Sequence, residues 1–239
     1  SEQMPAWASK ESAMVYVTNR SGYPEIWLHR PGQPERPLVT ARDFPPDTTQ
    51  GLSAPSLSPD ATRVIYVRSQ RLDERPQLWI SAVAGGAPVR LLKSSADFAH
   101  AGSWSPDGKW FVYWHIKPEG GFSVSKVKTT GEAEPEVLKA SIERSEDWVP
   151  VWSPSGEWIL HHDGGAKLTS PDGKTTRDLS SKTAVAYAFS ADGKTIYGIR
   201  QVSAADRLEL FSIGVAGGAE KTIGSLGREY LPVSAYVPT

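Results

Sequence analysis

The chain has 239 residues, a formal net charge of −1 and no cysteine. This near-neutral charge gives no electrostatic basis for binding nucleic acid or an anionic membrane, and the lack of cysteine excludes a disulfide framework. No apolar stretch approaches the roughly 18 residues of a membrane-spanning helix, so we predict no membrane span. The 21 glycines and 19 prolines favour many short strands joined by turns.

A short phrase recurs five times along the chain, and each copy is followed by an apolar run of strand type. The anchor residues of the five copies are Trp7, Leu57, Trp104, Trp152 and Phe189. They recur at intervals of roughly 40–50 residues, which is the period of propeller blades. In the third copy the anchor leads into Ser105-Pro106-Asp107-Gly108, where proline fixes φ and glycine accepts a positive φ. The phrase therefore predicts a strand followed by a tight turn.

The second repeat shows the full pattern of predicted strands. After the turn come the apolar runs 64–67 and 77–80, then a glycine-rich turn and a fourth strand at 89–92. Four strands per repeat is typical of a propeller blade. We predict an all-β chain, a β-propeller of four-stranded antiparallel blades, forming a single domain over residues 1–239. The predicted blades span residues 5–40, 54–93, 101–139, 149–180 and 185–225.

Two segments depart from the simple repeat. A second Ser-Pro-Asp-Gly sequence lies at residues 170–173 without an aromatic anchor before it, and we predict that it joins the third and fourth strands of its blade. Residues 226–239 are either a strand that closes a five-bladed ring or the start of a sixth blade. An incomplete ring would leave sheet edges and apolar faces exposed, which favours assembly with another chain.

The segments 19–27 (Asn-Arg-Ser-Gly-Tyr-Pro-Glu-Ile-Trp) and 105–109 (Ser-Pro-Asp-Gly-Lys) resemble the WD40-like Pro-Asp repeat of TolB-type propellers. The resemblance extends over residues 5–225, although the first turn departs from the pattern and Ser155 replaces aspartate in the fourth. Similar repeats occur in the propeller domains of prolyl oligopeptidase-type peptidases and in bacterial sensors and regulators. The resemblance implies a bacterial propeller that binds other proteins, in the periplasm or another extracytoplasmic location. The chain lacks the Gly-x-Ser-x-Gly sequence of the hydrolase domain that accompanies the peptidase propellers.

One polar column follows the second strands, seven positions after each turn. Its members are Thr18, Arg68, His115, Asp163 and Arg200. In a closed ring this polar column would converge around one mouth of the channel, and function concentrates on such loops of a rigid scaffold. We predict a surface here that binds another protein or a small ligand, the alternative being a solvated rim of mixed charge. The candidate residues are Arg68, His100, His115, Trp148, Asp163 and Arg200.

The histidines raise the alternative of a metal site, as in propeller lyases that act on pectic sugars. His161 and His162 fall in strand columns that pack between blades, so we expect both to be buried and hydrogen-bonded. Only His100 and His115 remain near the mouth, and we therefore predict no metal and no cofactor. Among the tryptophans, we expect the anchors and the third-strand pair Trp27 and Trp79 in the core, and Trp110 and Trp158 partly exposed.

The predicted function is a non-enzymatic, TolB-like scaffold for binding proteins or ligands. One alternative is a propeller enzyme, either a carbohydrate lyase or hydrolase or a peptidase-associated domain, with its site at the channel mouth. Another is the sensor domain of a larger bacterial regulator. Three metal ligands facing the mouth, or a pair of carboxylates at catalytic separation, would favour an enzyme.

Overall fold

The computed structural model describes residues 2–8, 11–45, 51–69, 76–94, 98–116, 121–142, 149–180, 184, 186–202 and 207–227. Within these ranges twenty strands form five antiparallel four-stranded sheets. A single turn of 3₁₀ helix, Ala41–Asp43, follows the first sheet. No helix in the described ranges is long and apolar enough to cross a membrane.

The sheets follow one another along the chain, and each is ordered as in the sequence, first strand to fourth. Sheet 1 contains β1 (Glu2–Ala8), β2 (Ala13–Thr18), β3 (Glu25–His29) and β4 (Arg36–Val39). Sheet 2 contains β5 (Gly51–Leu57), β6 (Arg63–Ser69), β7 (Gln77–Ala82) and β8 (Val89–Arg90). Sheet 3 contains β9 (Phe98–Trp104), β10 (Trp110–Ile116), β11 (Phe122–Lys128) and β12 (Glu136–Ile142). Sheet 4 contains β13 (Val151–Trp152), β14 (Ile159–His162), β15 (Ala166–Thr169) and β16 (Thr176–Ser180). Sheet 5 contains β17 (Ala186–Phe189), β18 (Thr195–Val202), β19 (Arg207–Gly214) and β20 (Lys221–Gly227).

This architecture confirms the predicted all-β fold of four-stranded antiparallel blades. The Ser-Pro-Asp-Gly sequence at 170–173 joins β15 to β16, as predicted. The last two described residues, 226 and 227, belong to β20, and residues 228–239 lie outside the described residues. That the whole chain forms one domain stays a prediction.

The Ser-Pro-Asp-Gly turn is held by its own side chains. The Asp107 carboxylate accepts hydrogen bonds from the Ser105 hydroxyl (2.6 Å) and from the Lys109 backbone N–H (3.1 Å). Gly108 takes the left-handed conformation with φ 68°, which glycine adopts without steric cost. The hydrogen bond from Ser105 is the main reason why the pKa of Asp107 lies below its ordinary value. The turn is therefore specified locally, before any contact between sheets forms.

Each sheet has two apolar faces because neighbouring residues of a strand point in opposite directions. We call the face that carries Val64 and Tyr66 in sheet 2 the front face, and the face that carries Ile65 and Val67 the back face. The back face of sheet 1 packs on the front face of sheet 2, and the same packing continues from sheet 2 through sheet 5. The core thus consists of four layers between successive sheets.

Arginine side chains also link successive sheets, donating to the carbonyl that follows a neighbouring third strand. Arg36 Nη2 donates to Val83 O at 2.6 Å, which links sheet 1 to sheet 2. Arg63 Nη1 donates to Thr129 O at 3.2 Å, which links sheet 2 to sheet 3. The same bond joins sheets 4 and 5 through Arg177 Nη2 and Val215 O.

The tryptophans depart from the prediction in part. Trp104 and Trp152 are buried as expected, but Trp7 is 43% exposed, so its assignment to the core was wrong. Trp27 and Trp79, expected in the core, are only partly buried, with the guanidinium of Arg20 over the Trp27 ring and that of Arg68 near the Trp79 ring. Trp110 and Trp158 are partly exposed, as predicted.

Candidate functional site

The members of the polar column occupy equivalent places at the ends of the second strands. Thr18 ends β2, Arg68 and His115 are the penultimate residues of β6 and β10, Asp163 follows β14, and Arg200 lies in β18. Three of them, Thr18, Arg68 and His115, are only 2% exposed. Asp163 is partly exposed, and the side chain of Arg200 is 11% exposed. Trp148 lies outside the described residues.

Arg68 is buried because its position shares the front face with Tyr66, two residues earlier in β6. Its guanidinium lies over the ring of Phe44 (4.1 Å to the centroid) and near that of Trp79 (5.2 Å). Phe44 and Trp79 themselves meet edge to face at 5.2 Å. A solvated rim would leave this charge in water; here two aromatic rings hold it in one orientation.

His115 and His100 are brought to the same part of sheet 3. His115 is buried, with Nδ1 3.2 Å from the Ser125 hydroxyl, and it pairs across the sheet with Ala99. His100 follows Ala99 in a β-bulge of β9, and its side chain is exposed. Bulges re-aim side chains and are frequent next to functional sites. The structure therefore presents one histidine of the pair to solvent and uses the other in packing.

Arg200 forms the most strongly charged group of the column. Its Nε donates to Glu209 Oε2 at 2.9 Å, and its Nη1 donates to Glu220 Oε2 at 2.5 Å. The three side chains are between 11% and 16% exposed, and the hydrogen bonds to Glu209 and then Glu220 raise the pKa of Arg200. Ser180 of sheet 4 donates to Glu220 and so ties the cluster to the neighbouring sheet.

Glu209 and Glu220 are site residues that the sequence interpretation missed. Glu209 lies directly opposite Arg200 in the β18–β19 pair, and opposite charges at such positions attract. The register of this hairpin, counted back from the Val202–Arg207 pair at its closed end, could have shown the pair. Glu220 carries no comparable signal because it lies in the loop before β20.

Asp163 begins the three-residue connection between β14 and β15, and its N–H donates to Gly165 O at 2.9 Å. Next to it, His161 and His162 are buried as predicted. His161 Nε2 lies 2.8 Å from the Thr169 hydroxyl. Burial lowers the pKa of His161 to about 4, against smaller opposing effects of a backbone hydrogen bond with His162 and of the Asp163 charge. His161 is therefore neutral at physiological pH.

Aromatic residues of the third strands support the arginines at this end of the sheets. Arg20, two residues after Thr18, lies over the Trp27 ring at 4.4 Å, and Arg200 lies over the Phe211 ring at 4.5 Å. Trp27, Trp79 and Phe211 occupy the same position, opposite residues 16, 66 and 198. A guanidinium held this way is preorganised for a carboxylate or another planar partner. In the described part of the chain, no group of three or more histidine, aspartate or glutamate side chains could hold a metal ion.

The chain matches no family model and no curated protein. Among solved structures it is similar to a putative TolB from Agrobacterium tumefaciens, with a TM-score of 0.70 and 17% identity over 95% of this chain and 82% of that one. TolB from Acinetobacter baumannii gives a TM-score of 0.63 and 17% identity over 91% of this chain, which spans about half (52%) of that protein. An oligogalacturonate lyase in complex with manganese gives 0.70 and 13% identity over 92% of this chain and 64% of the lyase. The fold of this chain is therefore that of a TolB-like β-propeller.

Proposed function

We propose that this propeller is a non-enzymatic scaffold that binds another protein at the end where the second strands finish. The resemblance to TolB-type propellers supports this role, together with a bacterial, extracytoplasmic location. The alternative to a protein partner is a small ligand that binds at the same end.

The observation that carries the proposal is the placement of polar groups at equivalent ends of sheets 3 to 5. His100 is exposed on a bulge, Asp163 lies in a tight connection, and Arg200 is fixed by two carboxylates. The guanidinium of Arg200 is already held by Glu209 and Glu220, so little of its side-chain freedom is lost on binding. Arginine is also enriched among the residues that dominate protein interfaces.

The experiment is photo-crosslinking of the full chain, in the cells that make it, from a benzoylphenylalanine placed at position 100. Position 137 is the control, because Val137 is exposed on the outer strand of the same sheet. We expect a discrete protein adduct from position 100 and none from position 137. The change Asp163→Asn should lower its yield by at least about fivefold, since loss of an important interface side chain costs more than about 1 kcal/mol.

Equal adducts from both positions would show that the partner does not bind at this end.

The enzymatic alternative is tested separately, by incubating the purified chain with oligogalacturonate and Mn²⁺ and following the absorbance of an unsaturated product. We expect no product above the blank. Turnover that is lost in His100→Ala would overturn the non-enzymatic role.

A further inference from the structure

Sheet 4 differs from the other sheets at the centre of its second strand. His161, in β14, is only 1% exposed. Its counterparts in the other second strands are Tyr16, Tyr66, Tyr113 and Gly198. Of these side chains only that of histidine gains a proton in mild acid. Sheet 4 thus contains a buried titrating group at a position where the other sheets have none.

The hydrogen bonds of the His161 ring run across sheet 4. Nε2 lies 2.8 Å from the hydroxyl of Thr169 in β15, which in turn lies 3.0 Å from the hydroxyl of Thr176 in β16. The three side chains therefore join three of the four strands of this sheet. A change at His161 acts first on the sheet that contains it.

The charged groups around His161 come from sheet 4 and from the back face of sheet 3, which packs against it. They are Asp163, Lys167 and Asp178 in the first, and Lys126, Glu136 and Lys139 in the second. Burial is the main reason why the pKa of His161 lies at about 4. A backbone hydrogen bond with His162 and the charge of Asp163 oppose this effect, whereas the charges of Lys167 and Lys139 add to it. The folded sheet therefore excludes a proton that His161 binds near pH 6.5 once the sheet is open.

Within the described ranges, sheet 4 is also the smallest of the five sheets. Its strands contain two, four, four and five residues, and β13 forms only two residue pairs with β14. Segments with few backbone hydrogen bonds and little buried apolar surface open at the lowest free energy, while the remainder of a protein stays folded. The position of His161 in this sheet therefore couples its protonation to a local opening.

Two candidate residues of the binding surface depend on sheet 4. Asp163 directly follows β14. Ser180, the last residue of β16, donates to Glu220, whose carboxylate also accepts from Arg200 at 2.5 Å. Opening of sheet 4 therefore displaces Asp163 and removes the link that fixes Glu220 beside Arg200.

We propose that sheet 4 is an acid-sensitive switch. As the pH falls from 7 to 5, His161 is protonated in the open form of this sheet, which becomes more populated while the other sheets stay folded. The opening displaces Asp163 and loosens Arg200, so the surface releases its partner in acid. This release rests on the proposed function, whereas the opening of the sheet does not.

Hydrogen exchange followed by mass spectrometry, at pH 7 and pH 5 and corrected for the intrinsic effect of pH on exchange, measures the opening. The reporter is segment 159–169 of sheet 4, and the reference is segment 63–69 of sheet 2, which carries Tyr66 in place of His161. One histidine with a pKa of about 6.5 in the open form and about 4 in the closed form predicts that the protection of the reporter falls about twentyfold. The reporter should also be less protected than the reference at both pH values, because only sheet 4 opens.

Two substitutions remove the titrating group. His161→Gln keeps a side chain that forms hydrogen bonds, and His161→Tyr introduces the residue of sheets 1 to 3; both should abolish the fall in protection. His29→Gln is the matched control, because the side chain of His29 is 36% exposed in sheet 1 and its loss should leave the fall unchanged. Equal protection of reporter and reference at both pH values would overturn the proposal, since the chain would then open as one unit. A fall that persists in both His161 variants would overturn the role of His161.

The effect on binding is measured by crosslinking from position 100 in an extract of the cells that make the chain, at pH 7 and pH 5. The benzoylphenylalanine replaces His100, so titration of that residue does not contribute. We expect the adduct to be lost at pH 5 in the original chain and kept in His161→Gln. An adduct that survives at pH 5 while sheet 4 opens would overturn the switch. The absence of an adduct at pH 7 would contradict the proposed function, and the exchange result would still decide whether sheet 4 opens.

Discussion

Gly198 lies where the other second strands carry a large side chain. In β18 it takes the place of Tyr16, Tyr66, Tyr113 and His161, and the rings of Phe211 and Tyr187 fill the space that a side chain would need. A Cβ atom at Gly198 would lie 2.4 Å from Phe211 Cζ and 2.9 Å from Tyr187 Cδ1. Gly198→Ala must therefore displace Phe211, which is completely buried.

Such overpacking of a core costs about 1–3 kcal/mol of unfolding free energy. For a chain of this length, each kcal/mol lowers the melting temperature by about 2–4 °C. Because the Phe211 ring supports the guanidinium of Arg200 at 4.5 Å, the same substitution should also loosen Arg200 at the candidate site.

Urea unfolding followed by tryptophan fluorescence measures the effect, with Phe211→Leu as the matched control. Phe211→Leu alone removes ring atoms from the core and should cost about 1–2 kcal/mol. In the double variant the smaller side chain makes room for the new methyl group, so the two losses should be less than additive by about 1 kcal/mol. A Gly198→Ala chain within about 0.3 kcal/mol of the original, or strictly additive losses, would refute this account of the packing.

Three further results are expected. Burial lowers the pKa of His161 to about 4, so as the pH falls below about 6.5 the unfolded chain takes up a proton before the folded chain does. About 2 kcal/mol of stability should therefore be lost between pH 7 and pH 5. His161→Gln should flatten this pH dependence of stability in urea titrations. Ser155→Asp should add about 0.5–1 kcal/mol to the free energy of unfolding. The reason is that Ser155 makes hydrogen bonds of 3.2 and 3.3 Å in its turn, whereas Asp107 makes bonds of 2.6 and 3.1 Å at the equivalent position. The gain should disappear in acid, as the pH falls through the lowered pKa of the new carboxyl. Arg200→Ala should cost about 2–3 kcal/mol by leaving Glu209 and Glu220 without their counter-charge, and Glu220→Gln in the same chain should restore part of the loss in thermal melts.

The fold could be predicted because its signals are local. The Ser-Pro-Asp-Gly turn at 105–108 contains all the bonds that hold it, and the copy at 170–173 could be assigned to its place because it lacked an anchor before it. Strand alternation likewise placed His161 and His162 inside the protein without any knowledge of their neighbours.

The candidate site could be predicted less completely because its environment comes from distant parts of the chain. Arg68 is buried by Phe44, which lies in the connection between two sheets and carries no pattern of its own. The partners of Arg200 depend on the register of two strands and on a loop. Trp7 was assigned to the core with the other anchors because its column is shared, but burial in that column requires a preceding sheet.

The arginine links between sheets have a consequence for sequence drift. Arg36, Arg63 and Arg177 donate to main-chain carbonyls of the neighbouring sheet, and such an acceptor is present whatever side chain its residue carries. The receiving sheet can therefore change its side chains without losing the bond, and no matching substitution is needed. A protein joined in this way can diverge far in sequence while its sheets keep their mutual positions, in line with a shared fold at 17% identity.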